Sequence, residues 1–94
     1  MIHHIIVKWN SDADKKALYE KECALYADTA KISGVHRVDI KENATPRDNR
    51  YDLMIALYKD NDTLTVWDNS ELHLKWKSDF GGFIEKKCIF DCDE

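Results

Sequence analysis

Arg50-Tyr-Asp-Leu-Met-Ile-Ala-Leu-Tyr58 is the stretch on which the fold turns. In an extended strand, Tyr51, Leu53, Ile55 and Leu57 share one face, and Asp52, Met54, Ala56 and Tyr58 share the other. Both sets are mostly apolar, so this strand is expected to be covered on both sides. Ile2-His-His-Ile-Ile-Val-Lys-Trp9 reads the same way, with only His3, His4 and Lys8 breaking an apolar run. Adjacent strand residues point to opposite faces, so one histidine of the pair must face each side of the sheet.

Working outward, Ser11-Asp-Ala-Asp14 predicts a helix start with Ser11 as N-cap and Asp14 adding charge to the first turn. The helix is expected to run to about Ile32. Leu18, Leu25 and Ile32 mark its apolar side, flanked by Ala17, Tyr19, Cys23, Ala24 and Tyr26. Glu20, Lys21, Glu22 and Asp28 are expected on the opposite, solvated side. Gly34 is the natural left-handed cap. Val35 to Lys41 predicts a second strand, with Val35, Arg37, Asp39 and Lys41 on one face and His36, Val38 and Ile40 on the other. A polar turn containing Pro46 leads into the 50–58 strand. Asp60-Asn-Asp62 is expected to cap a second helical region whose apolar side carries Leu64, Val66, Trp67 and Leu72. Ser70 would cap a further piece holding His73, Trp76 and Phe80. Gly81-Gly82 stops it, and Phe83 to Cys92 predicts the last strand.

The order is β-α-β-β-α-β, the split β-α-β or ferredoxin-like arrangement of the α+β class. Two helices cover one face of a four-stranded antiparallel sheet. The other face, apolar on the first and third strands, needs a partner, and a second copy of the chain is the simplest supply. A homodimer is therefore expected, its two sheets packed face to face or closed into a barrel.

Composition narrows the classes further. Ninety-four residues (1–94) make one domain. A chain this short buries only roughly 60–65% of its unfolded surface, so dimerisation would add needed stability. With 44% hydrophobic and 34% charged residues and a net charge of −4, it is globular rather than disordered. The longest basic cluster is Lys86-Lys87, so no nucleic-acid surface is expected. Cys88 and Cys92 would lie about 13 Å apart along a strand, too far for a disulfide, and Cys23 falls in a helix. Free thiols point to a reducing, cytoplasmic setting. The opening run lacks a basic, cleavable leader, and no apolar stretch approaches the ~18 residues of a membrane span. Metal-ligand spacing is missing, as is a Gly-rich phosphate loop, so no metal or cofactor is expected.

In sum and in order, these residues resemble the Dabb proteins, the stress-responsive A/B barrel domains. Members open with Met-Ile-x-His and an apolar strand, here Met1-Ile-His-His4. An Ile-x-Gly-Val turn follows a helix, here Ile32-Ser-Gly-Val35. A Tyr-Asp-Leu strand corresponds to Tyr51-Asp52-Leu53. A helix then carries an aromatic and a His-Pro-x-His stretch, here Trp67 and Ser70-Glu71-Leu72-His73, of which only the second histidine is kept. The last strand ends in an Asp, here Asp91. The resemblance covers almost the whole chain. It implies a dimeric α+β barrel with a cavity between sheet and helices, and no established activity for most members. One plant member is a polyketide cyclase, in which a helix histidine pairs with a tyrosine and a strand-one histidine. Carried over, the helix histidine is His73. The strand-one histidine is His4 when the N-termini are aligned, or His3 when Lys8 is the anchor. The tyrosine falls on Trp67, which has no hydroxyl to hold an enolate oxygen.

His73, assisted by His4, is thus the candidate general acid or base, since an imidazole titrates near ~6.5. Trp67, Trp76, Met54, Tyr58 and Phe80 are the candidate lining of a pocket for a flat apolar ligand. Asp52, on a covered face, needs a partner such as Arg50, Arg37 or a histidine, most simply in a strand-end salt bridge. Because the phenol is missing, binding of a small apolar or aromatic molecule is favoured over proton transfer on a carbonyl compound by a cyclase-like lyase or isomerase. A quinol or haem monooxygenase of the same barrel type is a more distant alternative.

Overall fold

The computed structural model describes residues 1–27, 29, 32, 34–45, 47–60 and 70–94. Strand β1 (Ile2–Trp9) leads to helix α1 (Lys15–Tyr26), then β2 (Val35–Glu42) and β3 (Leu53–Lys59). Helix α2 (Glu71–Phe80), a single 3-10 turn (Gly81–Phe83) and β4 (Ile84–Cys92) complete the β-α-β-β-α-β order. All pairings are antiparallel and the sheet order is β2-β3-β1-β4, which is the ferredoxin-like arrangement. The two most apolar strands therefore sit in the middle, where both edges are paired.

Alternation divides the sheet into two faces. His3, Ile5, Val7 and Trp9 of β1 lie beside Leu53, Ile55, Leu57 and Lys59 of β3, all buried. Leu18 and Tyr26 of α1 and Trp76 and Phe80 of α2 close over them and form the core. The opposite face carries Ile2, His4 and Ile6 with Met54, Ala56 and Tyr58, mostly half-buried. At the β4 edge, Ile89 is 46% and Phe90 58% exposed.

Helix α1 departs from the expectation at both ends. Its N-cap is Asp14, not Ser11: the Asp14 carboxylate accepts from the Ala17 amide at 3.1 Å. It stops at Tyr26 rather than near Ile32, and the Tyr26 carbonyl accepts from the Thr29 hydroxyl instead of leading into regular helix. Gly34, with φ 84°, then turns the chain into β2. A bulge between Val35 and Arg37 pairs Val35 with Lys59 but Arg37 with Tyr58. Val35 is thereby buried under the helices while Arg37 lies on the open face, so the expected common face of these two is corrected. Ser70 caps α2 as expected, accepting from the His73 amide at 3.1 Å. The first helical piece, and Trp67 with it, falls in 61–69, outside the described residues. No helix of the described residues is long and apolar enough to cross a membrane.

Candidate functional site

The His3-His4 pair splits as alternation requires, and the split decides which histidine can join His73. His3 is 6% exposed on the helix-covered face, and its Nδ1 lies 2.5 Å from Asp91 Oδ1. Asp91 is its direct cross-strand partner on β4. With the Nδ1 proton donated to the carboxylate, Nε2 is the basic nitrogen of that ring. His4 lies on the other face, where its Nδ1 meets the Phe90 carbonyl at 3.1 Å and its ring sits 6.0 Å from the Phe90 ring. The sheet thus stands between His4 and His73. His3, and not His4, lies on the face that the helices cover.

His73 is buried on α2, and its ring stacks on Trp76 with centroids 6.2 Å apart and 18° between planes. One turn into the helix from Ser70, it faces the sheet together with Trp76 and Phe80. On the other helix, Leu18, Glu22 and Tyr26 form the buried stripe, each four residues from the next. Glu22 was expected on the solvated side and is 0% exposed, whereas Cys23, expected on the apolar side, is exposed. The Trp76 indole Nε1 donates to Glu22 Oε1 at 2.7 Å, joining α2 to α1. Among the described residues Glu22 Oε2 is buried without a hydrogen-bond partner. Burial pushes the Glu22 carboxyl up to about 7, against the opposing effect of the indole N–H. Burial also pushes the Tyr26 phenol up, and the Glu22 charge adds to this. On β3, Lys59 continues the Leu53-Ile55-Leu57 alternation and is 2% exposed on the same covered face. Lys87 of β4 holds its ammonium 5.7 Å from the Trp76 ring centroid.

The residues expected to line one pocket are divided by the sheet. Trp76 and Phe80 are buried beneath the helices, 1% and 2% exposed, while Met54 and Tyr58 lie on the open face. There Tyr58 takes the Arg37 guanidinium 4.2 Å from its ring centroid. Between α1 and α2 the surface opens into a groove of about 780 Å³, floored by Ala24, Leu25, Leu72 and Phe80 and rimmed by Lys21 and Lys75. Asp52 finds its partner in Lys15 rather than Arg50, Arg37 or a histidine: Oδ1 accepts from Lys15 Nζ at 2.9 Å and Oδ2 from the Trp9 amide at 2.8 Å. Cys23, Cys88 and Cys92 are free thiols. Among the described residues no group of three acidic, histidine or cysteine ligands converges on a metal position.

Glu22 and Lys59 are buried beneath the helices although the sequence pattern does not single them out. Their signal is positional: Glu22 stands four residues from both Leu18 and Tyr26, and Lys59 stands two beyond Leu57. For Glu22 and Lys59, residue type points to solvent while position points to the core.

No protein-family model matches the sequence, and no curated protein matches it. Solved structures do match the fold. A dimeric protein of unknown function with a ferredoxin-like fold from Bacteroides fragilis is 15% identical with a TM-score of 0.82, over 99% of this chain and 94% of that one. A Dabb family protein with a ferredoxin-like fold from Mesorhizobium loti is 14% identical with a TM-score of 0.71, over 99% and 94%. A hydroxynitrile lyase from Passiflora edulis is 14% identical with a TM-score of 0.73, over 95% and 87%. Fold and order of elements together make this chain a ferredoxin-like α+β domain, similar in fold to these proteins.

Proposed function

We propose that the chain is a dimeric α+β barrel protein that binds a small apolar or aromatic molecule between its helices and its sheet. One observation carries this reading: His3, Glu22, Tyr26, Lys59 and His73 are all buried on the helix-covered face, within an otherwise apolar core. Each costs stability to desolvate, and a core that served packing alone would hold Leu or Val there. Converging polar groups in apolar surroundings are what a ligand site requires. The groove between α1 and α2 offers apolar surface on Leu25, Leu72 and Phe80. Dimerisation through the open face is supported by the exposed Phe90 beside His4, and by the neighbour described as dimeric. Free thiols support a reducing cytoplasm as its setting.

Native mass spectrometry of the gently purified protein tests this reading. A complex of twice the 11.0 kDa chain retaining a small molecule is expected. A bare monomer that gains no mass from aromatic probes would overturn it.

A second reading makes the same site a lyase or isomerase that moves a proton on a carbonyl compound. The His3–Asp91 pair favours it, since a carboxylate that fixes an imidazole leaves the other ring nitrogen as a base. The lyase among the structural neighbours supports it as an analogy of fold only. Deuterium exchange at the methyl group of acetophenone in heavy water provides the assay. Activity should fall by roughly 10²–10⁴ in His73→Ala and in His3→Ala, and be retained in His4→Ala. Exchange no faster than buffer rejects the enzyme and leaves the binding protein.

A further inference from the structure

Of the two histidines on β1, only His4 lies on the open face, the one that a second copy of the chain would cover. β1 is one of the two central strands, so His4 stands near the middle of that face and not at its rim. Its neighbours there are apolar: Ile2 and Ile6 along β1, Ala56 across on β3 and Phe90 across on β4. The Phe90 carbonyl meets its Nδ1 at 3.1 Å, which leaves Nε2 as the nitrogen that takes up a further proton. We infer that His4 makes the dimer sensitive to pH: a second copy can cover the neutral ring, and protonation of the ring drives the copies apart. This deepens the dimer reading and rests on it.

The charges of the open face set the sign. Besides His4, its strand positions carry the cations Lys8 on β1, Arg37 and Lys41 on β2 and Lys86 on β4. The carboxylate in the His4 row is Asp39, two strands away beyond Ala56, and the Arg37 guanidinium already donates to it at 2.8 Å. Asp52 is committed to Lys15 and the Trp9 amide. Glu85 lies in the bulge at the far end of β4, and Asp93 and Glu94 follow the last residue of that strand. Tyr58, Cys88 and Cys92 supply a phenol and two thiols, not a carboxylate. In a two-fold contact the partner adds the same excess of cations and a second His4. Covering the ring also strips water from its charged form. The separated copies therefore bind the proton better than the dimer does, and the dimer weakens as pH falls.

Sedimentation equilibrium of the full chain at pH 7.5 and pH 6.0, both above its isoelectric point of about 5.5, provides the test. An imidazole gains its proton as pH falls through about 6.5, so two of them should weaken dimerisation by roughly tenfold between these values. His4→Gln keeps a neutral polar side chain and should hold nearly one dissociation constant at both. His4→Lys carries a permanent charge and should dimerise weakly at both. NMR gives a readout that needs no dissociation: the His4 ring signals, assigned by their loss in His4→Gln, should stay unmoved in the intact dimer over this range. An unchanged wild-type constant, a His4→Gln dimer that weakens as much as wild type, a His4→Lys dimer of undiminished strength, or a His4 ring that titrates inside the intact dimer would each overturn this role of His4 and leave the dimer standing. A chain that is monomeric at both pH values overturns the dimer reading and takes this inference with it.

Discussion

At the scale of the residue, Glu22 dominates. Its carboxyl rises from 4.5 to about 7 because burial disfavours the charged form. The folded chain thus holds this proton more tightly than the unfolded chain. The stability this provides is complete below about pH 4.5 and is lost as pH rises through about 7. The loss amounts to at most about 3 kcal/mol. Urea unfolding at pH 5 and pH 8 should show the effect as a difference between wild type and Glu22→Gln, with the variant relatively more stable at the higher pH. Parallel pH profiles for the two proteins would refute it. His3 makes a second prediction at this scale. Asp91→Asn removes the carboxylate that accepts from its Nδ1, so the chemical shifts of the His3 ring protons should change by NMR. No change would mean that the pair is not formed in solution.

Elements carry a different kind of information. Helix α1 starts at Asp14 because that carboxylate reaches the Ala17 amide, and Asp14→Ala should cost about 1 kcal/mol in denaturant unfolding while Ser11→Ala stays within ~0.5. A larger loss from Ser11 would restore it as the cap. On β3, Leu57→Ala should cost roughly 2–5 kcal/mol, since Leu57 is fully buried in the centre of the sheet. The alternation of β3 and β1 is legible in the sequence, because period-two apolar patterns directly encode two faces. The bulge at His36 is not, since a one-residue slip in a strand of mixed polarity leaves no mark on composition. Glu22 and Lys59 are hidden for another reason. A charged side chain at a buried position contradicts the pattern that locates burial, and only its place in the stripe betrays it. Such contradictions concentrate where a protein sacrifices stability to function.

For the whole molecule, the sheet is a partition. One face is sealed by two helices over a core with ionisable groups in it, and the other shows His4, Ile6, Met54 and Tyr58 to its surroundings. The β-α-β-β-α-β order follows from the strands and caps alone, whereas the side on which each candidate residue falls depends on register, which sets His3 rather than His4 beside the helices. If the open face is the dimer interface, light scattering should give twice 11.0 kDa, and Phe90→Lys should shift the chain toward monomer without unfolding it. The central claim, that the helix-covered face and not the open one receives the ligand, is tested most directly by mapping NMR shifts on titration with 2-naphthol. Perturbations should centre on Trp76, His73, Glu22 and His3. A map centred instead on His4, Met54 and Tyr58, with Trp76 unmoved, would contradict it.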